Sequence, residues 1–291
     1  MARILTGKEV SESLDLRTAD KIKTLKERGV APTLEIIRVG EDPGQLSYER
    51  GAVKRCDALG IYVRIKALQS AADQEHQETQ DKLLDLIREA NDDPSVHGVL
   101  LLRPLPPYMD RAKVENALLP EKDVDGMTDL SLSGVFTGRK IGYAPCTAEA
   151  CLEILDYYKI SCAGKRAAVI GRSAVIGKPA AMLLLSRNAT VTVCHTKTED
   201  LPGCVREADL VVASAGRAKL VGSAFLRPGQ VILDVGINVD ENGKLCGDVD
   251  FDAAQPVVEA ITPVPRGVGS VTTSVLAAHT VEAAKRAAAR S

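Results

Sequence analysis

VIGRSAVIGKP, Val169 to Pro179, is the stretch whose reading decides the fold. It follows Gly164-Lys165-Arg166, continues a short apolar segment (Ala167 to Ile170) and leads into a helical pattern from Pro179 to Ser186. A strand, a glycine-bearing turn and a helix in that order aim a helix N-terminus at an anion, as dinucleotide-binding sheets do. Gly171 permits a tight exit from the strand, and Gly177 permits close helix packing or the approach of a phosphate. The spacing is not GxGxxG, so its surroundings must strengthen it. They do. NATVTVCHTKT (188–198) reads as a second strand, EADLVVASAGR (207–217) as a third and QVILDVGIN (230–238) as a fourth. Such alternation predicts an α/β protein with a doubly wound (Rossmann-type) parallel sheet.

The chain has 291 residues, enough for two domains with real cores. With 37 basic and 39 acidic residues the net charge is -2, and no basic patch interleaved with aromatics points to nucleic acid. No apolar run is long enough to span a membrane, and MARILTGKEV has no signal-peptide core, so a cytoplasmic protein is expected. The 7 cysteines form no CxxC pair and read as reduced, mostly buried thiols. His76, His97, His195 and His279 show no ligand spacing, so no metal site is expected.

Ahead of the glycine turn lies a separate αβ unit. Val10, Leu14, Ile22 and Leu25 recur at helical spacing over 8–28, with Gly29 as the stop. Thr33 to Val39 reads as a strand, Gln45 to Leu59 as a helix ended by Gly60, and Ile61 to Leu68 as a strand. Gln74 to Asn91 follows as a helix and Gly98 to Leu102 as a buried strand running into Arg103-Pro104-Leu105-Pro106-Pro107. Asp123 to Gly142, polar and glycine-rich, reads as the crossover between domains, after which Thr147 caps a helix through Tyr158. Asn242-Gly243 predicts a two-residue hairpin turn between Val235–Val239 and Leu245–Val249. The last helix spans Thr272 to Arg290.

NAD-binding sheets usually end the second strand on a carboxylate that accepts from the ribose hydroxyls. Here that place reads Cys194-His195-Thr196-Lys197, and Arg172 sits in the glycine turn. An arginine, a histidine, a hydroxyl and a lysine around one spot favour a 2′-phosphate, hence NADP over NAD. The alternative is that Arg172 and Lys197 are solvated turn residues.

Several segments together resemble the methylenetetrahydrofolate dehydrogenase/methenyltetrahydrofolate cyclohydrolase family: VGEDPGQLSYERG, RPLP, KDVDGM, PCTAEA, VIGRSAVIGKP, LDVGIN, GDVDF and ITPVPRGVGSVTT. They occur in the family's order along nearly the whole chain. The resemblance implies a folate domain (1–142 and 270–291), an NADP domain (143–269), a folate cleft between them, and a homodimer. It implies oxidation of 5,10-methylenetetrahydrofolate with NADP and, in bifunctional members, hydrolysis of the methenyl product to 10-formyltetrahydrofolate. Residue by residue, Tyr48 matches the tyrosine that stacks on the folate, and Asp125 the aspartate that holds the pterin edge. Gly171, Arg172 and Ser173 match the phosphate turn, with Gly177 beside it. His195 and Thr196 match the position near the adenosine phosphate, and Ile237 the residue lining the nicotinamide. Leu102 and Pro265 are expected to line the substrate. Arg266 stands where the family commonly has glycine; contact with the glutamate tail of folate and simple exposure to solvent are both open.

Two positions break the pattern. Bifunctional members carry a lysine four residues after the tyrosine, where this chain has Ala52, and a glutamine where it has Leu102. Hydrolysis needs water activated against a cationic amidine carbon, and a lysine of lowered pKa can do that. Hydride transfer needs no such base, because two nitrogens stabilise the donor carbon. No neighbour replaces the lysine. Lys54 lies about 200° round the helix from Ala52, Arg50 also faces away, and Arg55 shares the face but does not deprotonate. Arg103 is expected to point opposite to Leu102 by strand alternation. A dehydrogenase with little or no cyclohydrolase activity is therefore expected; a bifunctional enzyme is the alternative. A sensor without turnover would need no pterin clamp, and a shikimate-type or amino-acid dehydrogenase would need an acid–base dyad that is not evident.

Overall fold

The computed structural model describes residues 1–70 and 75–290. They form two compact units, one of Met1–Ser13 with Pro145–Thr272 and the other of Leu14–Ala144 with Thr273–Ser291. The first thirteen residues thus sit with the central segment rather than with the folate domain to which the sequence assigned them. The cause is local pairing. The strand β1 (Arg3–Ile4) lies parallel to Ala260–Ile261, and the Tyr158 hydroxyl donates to the Thr6 carbonyl at 3.0 Å.

After α1 (Gly7–Glu27), the unit containing Leu14–Ala144 is built from β2 (Thr33–Val39), α2 (Pro43–Leu59), β3 (Tyr62–Leu68), α3 (His76–Asp92), β4 (Gly98–Leu101), α4 (Arg111–Glu115) and α5 (Asp129–Thr137). The three strands are parallel in the order β3-β2-β4, with Ile36 opposite both Ile65 and Leu100. The central strand, TLEIIRV, is buried along almost its whole length, as a parallel strand covered on both faces must be. Gln74, the expected start of the third helix, lies outside the described residues. Thr128 to Gly138 departs from the expected crossover: Thr128 accepts from the Ser131 N–H at 3.2 Å and starts α5, which Gly138 ends at φ 69°. A cap and a stop at helix spacing outweigh a polar composition there.

The other unit continues with α6 (Cys146–Tyr157), β5 (Arg166–Ile170), α7 (Gly177–Ser186), β6 (Thr190–Cys194), α8 (Leu201–Glu207), β7 (Leu210–Ala213), β8 (Val231–Asp234), β9 (Asn238–Val239), β10 (Leu245–Cys246), α9 (Phe251–Ala254), β11 (Ala260–Ile261) and α10 (Val268–Ala288), which runs on into the first unit described. Six strands pair in the order β1-β11-β8-β7-β5-β6, all in parallel. The chain goes outward from β5 to β6 and returns to the far side of β5 at β7. The strand order therefore reverses at β5, and such a reversal opens a ligand crevice at the carboxyl ends of the strands. The residue before α6 is Pro145, with no side-chain cap, so Thr147 sits inside the helix rather than capping it. Asn242-Gly243 does not make a two-residue turn either. The Asp240 N–H donates to the Lys244 carbonyl at 2.8 Å and the Gly243 N–H to Asp240 at 2.9 Å, which leaves a three-residue loop with Gly243 at φ 74°.

Candidate active site

In the three-stranded unit, α2 carries the first group of residues. Pro43 opens it, and the Asp42 carboxylate accepts from the Gln45 N–H at 2.9 Å. Gln45, Glu49, Ala52 and Cys56 form its buried stripe, so the half-buried Tyr48 stands at its margin, one turn before Ala52. Ala52 is 0% exposed and Leu102 3%. Gln45 ties the helix to the chain beyond β4 by donating from Nε2 to the Pro104 carbonyl at 2.7 Å.

Among the described residues, the cations near this stripe are exposed or paired with a carboxylate. Lys54 and Arg50 are exposed, Arg55 pairs with Asp15, and Arg38 pairs with Glu49 at 3.0 Å. Arg103, half-buried next to the buried Leu102, donates from Nη2 to Asp125 Oδ2 at 2.9 Å, which sets a guanidinium beside the aspartate that the resemblance assigns to the pterin edge.

The two aspartates of Lys122-Asp123-Val124-Asp125-Gly126 have opposite environments. Asp123 is wholly buried and accepts from the Met127 N–H (3.1 Å), the Thr128 N–H (2.8 Å) and the Ser131 hydroxyl (2.6 Å). It forms the turn. Asp125 is only half-buried and faces Arg103. Between them, the Val124 carbonyl accepts from His279 Nδ1 at 2.9 Å. Burial pushes the His279 imidazole down to about 4. An unfolded chain protonates this group near pH ~6.5, so its contribution to stability is present above that pH and lost as pH falls toward 4. Asp234 acts in the opposite sense: burial raises it to about 7, so its contribution is lost as pH rises through 7. Only a difference between variants isolates the histidine. His279→Gln is expected to lose up to about 2 kcal/mol less than the native chain between pH ~7 and ~5, by urea unfolding. Parallel losses in the two proteins would refute this.

In the six-stranded unit the glycine turn leaves β5 at the reversal point. Gly171 has φ 121°, and a Cβ there would overlap the Ser214 carbonyl. A Cβ on Gly177 would overlap the Gly171 carbonyl, so the start of α7 lies directly against the turn. The Ser173 hydroxyl accepts from the Ile176 N–H at 3.2 Å and ties the turn together just ahead of α7. The Gly171 N–H donates to the Cys194 carbonyl at 2.9 Å. That bond brings the end of β6, with His195, Thr196 and Lys197, beside Arg172. His195 accepts at Nδ1 from the Lys197 N–H at 3.1 Å, which sets its ring orientation. The first carboxylate cap beyond, Asp200, is committed to the Gly203 N–H at 2.9 Å. Ile237, at the exit of β8, is 70% exposed. Pro265 and Arg266 are exposed too, and Arg266 takes φ 80°. Cys146 and Cys151 are buried, and burial raises Cys151 to about 12, which makes it an inert thiol. The reading from sequence missed Asn238, whose side chain donates to Asp248, and Asp234, whose carboxylate accepts from the Asp248 N–H; the acidic residues of LDVGIN and GDVDF were the signal.

A parallel sheet reversing at a glycine turn, in a chain that also carries an αβ unit with a tyrosine and a paired aspartate, defines a two-unit enzyme of the dinucleotide-binding class. The comparisons narrow the class. Residues 145–288 match the tetrahydrofolate dehydrogenase/cyclohydrolase NAD(P)-binding domain, and residues 5–125 match the catalytic domain of the same name. The chain belongs to the tetrahydrofolate dehydrogenase/cyclohydrolase family. It is 46% identical to the bifunctional protein FolD of Clostridioides difficile, over 97% of this chain and 96% of that one. It is 47% identical to the FolD of Carboxydothermus hydrogenoformans, over 97% of each. Among solved structures, the bifunctional FolD of Campylobacter jejuni is similar at a TM-score of 0.93 and 37% identity, covering 98% of this chain and 99% of that one. The Trypanosoma brucei dehydrogenase-cyclohydrolase, complexed with NADP cofactor and inhibitor, is similar at 0.91 and 32%, covering 100% and 99%.

Proposed function

We propose that the protein oxidises 5,10-methylenetetrahydrofolate to 5,10-methenyltetrahydrofolate by hydride transfer to NADP, and that it releases the methenyl product with little or no hydrolysis. The one-carbon methylene loses a hydride, and its two nitrogens take up the positive charge. NADP supplies the hydride acceptor at its nicotinamide. The turn suits such a ligand, because the bare backbone at Gly171 and Gly177 lets the start of α7 lie directly against the strand exit, where a helix N-terminus can receive phosphate. Arg172, His195, Thr196 and Lys197 supply cation and donors for a 2′-phosphate, with no carboxylate at the end of β6 itself; the first one, Glu199, comes five residues after Cys194. Ile237 offers an apolar face to the nicotinamide. Tyr48 stacks on the pterin, Asp125 accepts from its edge, and Leu102 and Pro265 line the substrate.

The observation that carries the second half of the proposal is the buried apolar pair. Ala52 and Leu102 present no titratable atom, and among the described residues each neighbouring cation is exposed or already paired. The names of the relatives favour the other reading, in which the chain also hydrolyses the methenyl product. A homodimer belongs to the same proposal and rests on the resemblance. The test follows methenyltetrahydrofolate and reduced cofactor by their separate absorbances, with NADP and then with NAD. Reduced cofactor is expected with NADP at a kcat/KM at least ~10-fold above that with NAD, since about 1.4 kcal/mol of phosphate recognition suffices. Equal rates would reject the phosphate assignment, and no reduction with either would reject the dehydrogenase.

A further inference from the structure

Resting on that reading, we propose that Asp248 is a positioning residue for the hydride transfer: its buried carboxylate locks the loop after β7 to the loop after β8 and thereby fixes the backbone that presents Ile237. Both loops leave the carboxyl ends of neighbouring parallel strands, where a doubly wound sheet binds its ligand. A chain leaving a strand loses its ladder partners, so its N–H groups need other acceptors. Asp248, with no solvent exposure, supplies them.

One oxygen, Oδ2, accepts from the Ala215 N–H and from the Gly216 N–H at 3.1 Å. The other, Oδ1, accepts from the Arg217 N–H at 2.8 Å and from Asn238 Nδ2 at 2.9 Å. Three donors therefore come from the first loop and one from the second. A second buried carboxylate completes the layer. Asp234 Oδ1 accepts from the Gly236 N–H at 3.2 Å and the Asp248 N–H at 2.9 Å, and its Oδ2 accepts from the Val249 N–H at 3.0 Å. Cβ atoms on Gly236 and Gly247 would overlap the Asp248 and Asp234 carboxylates respectively, so these groups pack against bare backbone.

The hairpin delivers Asp248 to this place. Asn238 lies opposite Cys246 in the β9–β10 pair, so the chain doubles back under the loop it has just left. Ile237 is consequently pinned on both sides, through the Gly236 N–H on Asp234 and the Asn238 side chain on Asp248. Its side chain is exposed while its backbone is held. That combination suits an apolar ring that must rest at one height, because displacement of about 1 Å costs up to ~10²-fold in rate. The first loop also abuts the glycine turn: the Ser214 hydroxyl donates to the Ile170 carbonyl at 3.0 Å. The carboxylate layer thus registers the nicotinamide end against the phosphate end.

Asn238→Ala removes the single strut from the second loop and leaves the three N–H bonds of the first. It is expected to lower kcat by ~10-fold or more, with NADP affinity by calorimetry within ~2-fold of native. It is also expected to enlarge the primary isotope effect measured with deuterium at the donor methylene. Asp248→Asn keeps the shape but turns an NH₂ group toward N–H donors; the same split is expected with a larger fall in kcat and a lower Tm. An unchanged kcat and isotope effect in Asn238→Ala would overturn the assignment, as would NADP affinity falling in step with kcat. Native protein that fails to reduce NADP would instead bring down the proposed function, and this assignment with it.

Discussion

Purified protein given 5,10-methenyltetrahydrofolate at neutral pH is expected to leave its hydrolysis at the spontaneous rate. The methenyl carbon is an electrophile already, so what limits hydrolysis is removal of a proton from the attacking water and its delivery to nitrogen. A general base or acid in place typically contributes ~10²- to 10⁴-fold. At the two positions from which such a group would act, Ala52 and Leu102 contribute only methyl and isobutyl surface, buried from solvent. Arg50 and Lys54, two residues either side of Ala52, are exposed, while Arg55 and Arg103 are locked into ion pairs with Asp15 and Asp125. A guanidinium stays protonated at any working pH, so neither can accept the proton. Enzyme-dependent hydrolysis is therefore expected below ~1% of the dehydrogenase turnover. Hydrolysis at a rate comparable to that turnover would sink the apolar-pair argument and establish the bifunctional alternative. In a cell, the proposed activity requires a separate hydrolytic reaction to consume the methenyl cation.

Asp125→Ala is expected to lower the dehydrogenase rate by at least ~10²-fold, because a pterin free to tilt carries the donor carbon away from attack distance. The structure sharpens this beyond the loss of one acceptor. Asp125 is the partner of Arg103 at 2.9 Å, while Glu115 lies 4.0 Å from the same guanidinium. Removing the carboxylate leaves that cation to swing toward Glu115, and the cation then stands near a carbon that must become positive. Asp125→Asn retains an acceptor of the same reach and is expected to fall between the native enzyme and the alanine variant. Steady-state kinetics with the folate varied, alongside melting temperatures to exclude unfolding, decide the matter. An unchanged rate in the alanine variant would remove Asp125 from the site.

Some of this was legible in the chain and some was not, for physical reasons. The glycine turn reads directly because its requirements are local: at Gly171 and Gly177 a side chain would strike backbone a few residues away or across one strand. Strands β2, β5, β7 and β8 read as apolar runs because both of their faces are covered. The helix α5 hid behind a polar, glycine-containing composition, and only its cap at Thr128 and stop at Gly138 revealed it. Nothing in Lys122-Asp123-Val124-Asp125 says which aspartate turns inward. That depends on the Ser131 hydroxyl and two N–H groups converging on Asp123. The pairing of Arg103 with Asp125 was likewise hidden, since it joins two loop residues that no local pattern connects.

By itself the sequence determined the class of sheet, the glycine turn and the absence of an amine at position 52, because each follows from residue identity and near-neighbour spacing. Only the tertiary structure decided which carboxylates are internal, where the first thirteen residues belong, and that Asp248 gathers N–H groups from residues 215–217, more than thirty positions earlier in the chain. Those outcomes depend on which strands lie side by side. A buried carboxylate takes whatever donors the sheet brings to it, and that order is not written in any local pattern.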